Sequence, residues 1–256
     1  MLRVSGLTDR CSLFRQGLCP LRRDPDSVHG RSVPCPKLAL TRRLPWLWTN
    51  SPSNRTIPVQ EKPGVAGVCI AEASDQSGVV GVLTLAFADD PACRRLYPDP
   101  VQYLTFFPEF VRLYGGRAFD HGAAHFVAGH SGAALWIPPD VHPDDAALED
   151  LLERSVDDAA KPELFDVYAA MKSHHPEEPH WFLPLIGIDP FLQGQGLGMA
   201  LMAYGLQVCD RDGVQVHLDS THPRNIPFYQ RCGFELLATI EIGGHPPVYP
   251  MRRRAR

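Results

Sequence analysis

The chain has 256 residues, 44% hydrophobic and 21% charged, the make-up of an ordinary globular protein with room for one large domain. Its seven cysteines are scattered with no C-x-x-C pair, which excludes a zinc ribbon or disulfide scaffold and favours free thiols in a reducing cytoplasm. The net charge of −4 conceals an asymmetry: residues 1–60 hold ten Arg and Lys against three Asp, and the remainder holds 15 basic against 26 acidic residues.

Residues 1–62 read as a basic extension interrupted by Pro20, Pro25, Pro34, Pro36 and Pro45, expected to be disordered. An organelle transit peptide and a nucleic-acid or membrane tether are the other readings of such a start. The tether lacks the compact basic cluster with interleaved aromatics that it needs. No secretory apolar core is present, so Asn54-Arg55-Thr56 is a chance match to a glycosylation site. The longest apolar run, "GVVGVLTLAFA", is about half of a membrane span. The expected protein is cytoplasmic, without membrane or nucleic-acid partners, and a monomer or homodimer.

From residue 63 to residue 256 the texture is that of one α/β domain. "GVAGVCIAEA" reads as a strand, and Ser74 with Asp75 can cap a helix carrying Val79, Val82, Leu83 and Phe87. Residues 101–121 look helical, with Pro108 expected to kink or divide them. "AAHFVAG" and "GAALWIPP" flank "HSG" as a hairpin, and residues 144–173 form two short helices broken at Pro162. "HWFLPLIGIDP" is a buried strand that should bulge or lose a partner at Pro184. Leu197, Leu201, Tyr204 and Val208 then recur at helical spacing up to Gly213. "VQVHLDS" alternates Val214, Val216 and Leu218 on one strand face, and "NIPFYQRCGF" is a short helix ending at Gly233. "LLATIEI" and "PPVYPMRR" read as two strands joined by a Gly-Gly-His turn.

Between the buried strand and its helix stands Gln193-Gly194-Gln195-Gly196-Leu197-Gly198. The third glycine of a dinucleotide fingerprint is missing, with Met199 in its place, and there is no Gly-Lys-Ser/Thr of a Walker loop. Taken alone, the loop is plain turn chemistry or a lysine-free phosphate cradle, in which backbone N–H groups converge at a helix N-terminus.

Gln193-x-x-Gly196-x-Gly198 resembles the Q/R-x-x-G-x-G/A acyl-CoA loop of the GNAT N-acetyltransferase superfamily. Asn225, Tyr229 and Gly233-Phe234 resemble that family's second motif, with one helix and one strand fitting into the interval after Gly198. "EPHWFLPLIGIDPFLQGQGLG", "PRNIPFYQRCGFELLATIEI", "AFADDP" and "ALWIPP" are similar to the branch containing puromycin N-acetyltransferase, over roughly residues 64–254.

This resemblance implies a mixed, mostly antiparallel twisted sheet flanked by helices, the GNAT or acyl-CoA N-acyltransferase fold. It implies acetyl-CoA as acyl donor and a small amine acceptor. The resemblance makes Ile186, Ile188, Gln193, Gly194, Gln195, Gly196, Leu197, Gly198, Asn225 and Tyr229 the cofactor-binding set. Ile186 and Ile188 would pair with the pantetheine arm, and Tyr229 would protonate the departing thiolate.

For the general base the residues offer Glu178, beside Glu177 and His180 just before the acyl-binding strand, of which Glu178 is the chosen candidate. His174, His175 and His180 cluster without a Cys or carboxylate at metal spacing, so no metal is assigned. Trp136 and Trp181 are candidates for the acceptor wall or for the core. The acceptor wall is expected from residues 76–121 and 140–176. A catalytically silent acyl-CoA-binding module is the alternative to an enzyme.

Overall fold

The computed structural model describes residues 67–256, and the readings placed on residues 1–62, with the boundary at 62–63, lie outside the described residues. Strand β1 (Val68–Ile70) leads through a turn to helix α1 (Gln76–Ala86). Two Asp-Pro pairs then start helices. Asp90 accepts hydrogen bonds from the N–H groups of Ala92 and Cys93 to begin α2 (Pro91–Leu96). Asp99 does the same for Val101 and Gln102 at the start of α3 (Pro100–Gly115). Each proline sits where its missing N–H leaves no bond unmade.

Pro108 does not divide α3, which runs unbroken to Gly115 before a one-turn helix α4 (Arg117–Asp120). The carbonyl that Pro108 leaves unpaired belongs to Leu104, a residue 65% exposed, so water can reach that turn. Strands β2 (Ala124–Val127) and β3 (Gly132–Ile137) form the expected antiparallel hairpin. Helices α5 (Asp145–Ser155) and α6 (Lys161–His174) follow, and their break falls at Val156, not at Pro162. Pro162 lies inside the first turn of α6, where a proline is tolerated.

The second half comprises β4 (His180–Ile188), α7 (Leu197–Asp212), β5 (Gln215–Ser220), α8 (Ile226–Arg231), β6 (Glu235–Leu236) and β7 (Tyr249–Arg253). Helix α7 ends at Gly213 in the left-handed conformation, as its sequence requires. The final hairpin is shorter than its apolar sequence predicts. Beyond Leu236 only Leu237 and an isolated Ile240–Val248 bridge pair, because Pro246 and Pro247 have no N–H to donate.

The sheet has seven strands in the order β1-β2-β3-β4-β5-β7-β6, antiparallel throughout except for β4 beside β5. Helix α7 covers one face, and α1 and α3 cover the other, with α5 packed on α3. Leu83, Leu135, Leu201, Met202 and Leu218 are among the fully buried residues of the core. Among the described residues no helix is long and apolar enough to cross a membrane. Cys69, Cys93, Cys209 and Cys232 are free thiols.

Two irregularities meet in the middle of β4. Leu135 pairs with Leu185 and Ile137 with Phe182, so two steps on β3 face three on β4, a bulge spanning Leu183 and Pro184. On its other side β4 pairs with β5 only from His180 to Phe182. From Leu183 onward the two parallel strands part, and the sheet opens.

Candidate active site

At the far end of β4 the chain turns through Pro190–Leu192, with the Asp189 carboxylate accepting the Phe191 N–H at 2.9 Å. Gly194 (φ 76°) and Gly196 (φ 83°) both take left-handed conformations, and Gly196 is the residue that caps α7. A Cβ at either position would point into open space, so these glycines are needed for backbone shape rather than for room. Gly198 differs: a Cβ there would meet Phe228 and Ile188 at ordinary contact distances of 3.6–3.7 Å.

Gln193, Gly194, Gln195 and Gly196 are exposed, while Leu197 is buried and fixes the helix start to the core. The first N–H groups of a helix have no partner within it, and here they face the exposed glycine turn. Gln193 lies 3.5 Å from the Ile188 carbonyl through its side-chain nitrogen.

Between the parted strands runs a cavity of about 920 Å³, its open mouth included. Leu183–Ile186 of β4 and Leu218–Thr221 around the end of β5 line its two sides, with Asn225 and Tyr229 beyond. The opposing wall comes from α3 (Phe107, Phe110, Tyr114) and α6 (Leu164, Tyr168, Met171), the two regions expected to wall the acceptor. Trp136 and Trp181 take no part in it. Both are buried in the core, with the Trp181 indole donating to Asp212 at 2.8 Å.

Tyr229 is buried, with its ring edge-on to Phe228 at 5.2 Å and Phe234 at 6.0 Å. Burial raises its phenol pKa, helped by Cys232 and Asp90, so the hydroxyl keeps its proton at neutral pH. Asn225 begins α8 without making a side-chain cap, which leaves its amide available to the cavity.

Glu178 stands elsewhere. It is exposed on the turn before β4, where its carboxylate accepts from Gln215 at 3.4 Å, and it does not line the cavity. The strand alternation that turns Val216 and Leu218 to one face turns His217 and Asp219 to the other, and of these two Asp219 lines the cavity. The Asp219 side chain is only 3% exposed and lies 3.3 Å from His175 Nε2 and 3.4 Å from His217 Nε2.

Burial would raise the Asp219 pKa, but the imidazoles of His175 and His217 prevail and hold it below the usual carboxylate range. Burial pushes His217 and His180 below the ordinary imidazole value. The histidine cluster therefore does include a carboxylate, supplied by Asp219 from a different strand. Ligand atoms of His175, His217 and Asp219 fall within 4.8 Å of one another. His174 stays apart, with its Nδ1 2.8 Å from the Ala170 carbonyl of its own helix.

Asp90 braces the site from outside the cavity lining. Besides starting α2, it accepts from the Thr221 hydroxyl at 2.6 Å and so fixes the end of β5 at the cavity rim.

A parallel strand pair that parts beside a glycine turn and a helix N-terminus, with a protonated tyrosine in the opening, defines an acyl-transfer domain. Residues 165–234 match the Acetyltransferase (GNAT) family, and the chain carries a GNAT domain and is an acetyltransferase. It is 25% identical over 185 residues to an uncharacterized N-acetyltransferase of Schizosaccharomyces pombe, covering 67% of this chain and 75% of that protein.

The fold is shared with solved structures, two of them as follows. One, from Corynebacterium glutamicum, is described as histone acetyltransferase HPA2 and related acetyltransferase, with TM-score 0.54, 24% identity and coverage of 74% of this chain and 96% of that one. The other is the polyamine N-acetyltransferase of Drosophila melanogaster, with TM-score 0.53, 18% identity and coverage of 73% and 98%.

Proposed function

We propose that this acetyltransferase moves the acetyl group of acetyl-CoA to a primary amine of a small molecule by direct transfer. The observation that carries the reading is one cavity between β4 and β5 lined by both Tyr229 and the buried Asp219, with the half-buried His175 against Asp219 at 3.3 Å. The chain's own residues fit the donor. The left-handed Gly194 and Gly196 present backbone amides at the start of α7, suited to a pyrophosphate. Gln193, Gln195, Leu197 and Gly198 complete that turn. Ile186 and Ile188 lie on the stretch of β4 that has no β5 partner, which suits the amides of a pantetheine arm. Asn225 offers a side-chain amide to the same arm.

Acetyl-CoA, when bound, supplies a thioester carbonyl activated toward amines. Asp219 holds the acceptor as its ammonium form, and the His175–Asp219 pair takes the proton that the nitrogen must lose. As the N–C bond forms and the C–S bond breaks, Tyr229 passes its hydroxyl proton to the departing sulfur. Holding both reactants in one cavity makes the step effectively unimolecular.

Thiol release from acetyl-CoA should be measured with aminonucleosides, polyamines, arylamines and amino-acid derivatives. Release with at least one of these amines is expected. Tight acetyl-CoA binding with no release for any of them would instead indicate an acyl-CoA-binding module.

A further inference from the structure

Resting on that amine-acetylation reading, we infer that the acceptor is a lipophilic primary monoamine, with one ammonium group held by Asp219 and an aromatic or alkyl body against the α3–α6 wall. The charge inventory of the cavity supports this first. Asp219 is the one carboxylate among its lining residues, and no lysine or arginine lines it. One cation is matched there. A second ammonium would be desolvated with no carboxylate to meet it, and a carboxylate or phosphate on the acceptor would face Asp219 with no lysine or arginine beside it, the one imidazole of the lining being His245, whose Nδ1 lies 2.6 Å from the Pro246 carbonyl.

The shape and chemistry of the wall support it next. Phe107, Phe110 and Tyr114 follow one another along α3 with ring centroids 5.5 and 5.2 Å apart. Tyr114 meets Phe182 edge-on at 5.8 Å, and Phe182 lies 4.7 Å from His175, the partner of Asp219. The carboxylate therefore stands at the end of an aromatic surface. Leu164 and Met171 of α6 extend that wall with aliphatic side chains. An apolar pocket with a single polar anchor fixes the orientation of a ligand whose own charge is at one end.

The experiment compares 2-phenylethylamine and hexylamine with putrescine, spermidine and phenylalanine, using the purified full chain at saturating acetyl-CoA. The expected kcat/KM for 2-phenylethylamine exceeds those for putrescine and phenylalanine by at least about tenfold each. Asp219→Asn should raise the KM for 2-phenylethylamine at least about tenfold while leaving the dissociation constant for acetyl-CoA within about twofold. Met171→Glu, which adds a second carboxylate on the half-buried α6 wall, should shift preference toward putrescine by about tenfold. This second variant keeps the test informative if Asp219→Asn folds poorly.

Preference of the natural protein for putrescine or phenylalanine would overturn the inference, as would an Asp219→Asn variant with unchanged amine KM. A divalent-metal requirement that disappears in Asp219→Asn would also overturn it, by reassigning the carboxylate. Failure of the parent reading looks different. If no amine releases thiol, calorimetry with CoA-loaded protein still decides the acceptor class. Tighter binding of 2-phenylethylamine than of putrescine supports it, and the reverse order rejects it.

Discussion

Tyr229 differs from most core tyrosines in having a protonated hydroxyl that borders a cavity rather than a fixed acceptor. Among the described residues no side-chain hydrogen bond involves it, whereas Tyr97 and Tyr103 bond to Ser155 and to the Thr84 carbonyl. Removing that oxygen therefore costs little in stability and acts on the reaction. Tyr229→Phe should lower kcat by about 10²-fold, the range of a lost general acid, with acetyl-CoA affinity unchanged. Steady-state thiol release beside calorimetric titration checks it, and unchanged kcat removes Tyr229 from the proton path. Tyr229 was legible in the sequence as a candidate because it stands inside a spaced motif. Asp219 was not, although the alternation of "VQVHLDS" already set it opposite Val216 and Leu218. What the alternation cannot supply is His175, which reaches Asp219 from the end of α6 through tertiary packing. Without that pairing, the sequence offers Glu178, two residues before His180, as the candidate base, and the structure sets it apart from the cavity.

Helix α7 carries the site at one end and the core along its length, so its two key glycines should fail in different ways. At Gly205 a Cβ would fall 2.3–2.5 Å from the indole atoms of Trp136, itself fully buried in β3. Gly205→Ala should therefore destabilise the protein by about 1–3 kcal/mol, the usual cost of overpacking, read as a lower urea midpoint. At Gly196 the obstacle is φ, not space. A β-branched residue at φ 83° costs about 1–2 kcal/mol locally and distorts the turn that presents the amides. Gly196→Val should raise the dissociation constant for acetyl-CoA at least about tenfold in a protein that remains folded, and unaltered affinity would reject the loop as the donor site. The prolines show where reading elements from sequence falls short. Pro184 was placed correctly because a missing donor within a buried strand has few outcomes. The breaks expected at Pro162 and, as a division, at Pro108 do not occur, because a helix accepts a proline on a wet turn or in its first turn, and exposure is a tertiary property.

At the scale of the whole molecule, the mixed sheet was legible from the order of strand and helix signals together with the two motifs. The opening between β4 and β5 is not written in the strand sequences, since nothing in them says that pairing stops after Phe182 and His217. The sheet also buries ionisable groups that no motif marks, and these set the response of the fold to acid. His125 of β2 is 2% exposed and lies edge-on to Tyr204 at 4.7 Å. Burial pushes its pKa down to about 4, against a weaker upward pull from the Gly122 backbone. The folded protein thus keeps His125 neutral, whereas the unfolded chain protonates it near its ordinary value of about 6.5. Between those two values the unfolded state binds more protons, so stability falls as pH drops from about 6.5 toward 4 and levels off below. By pH 5 this residue alone should remove about 2 kcal/mol relative to pH 8. His217 is shifted in the same direction, and carboxylates titrate nearby, so the single-residue contribution is best taken as a difference between proteins. Urea unfolding of the natural chain and of His125→Leu at pH 8, 6 and 5 isolates it. The stability gap between the two should narrow or reverse by about 2 kcal/mol from pH 8 to pH 5. A gap that stays constant across this range would mean that His125 titrates alike in both states, and that acid instability enters the sheet elsewhere.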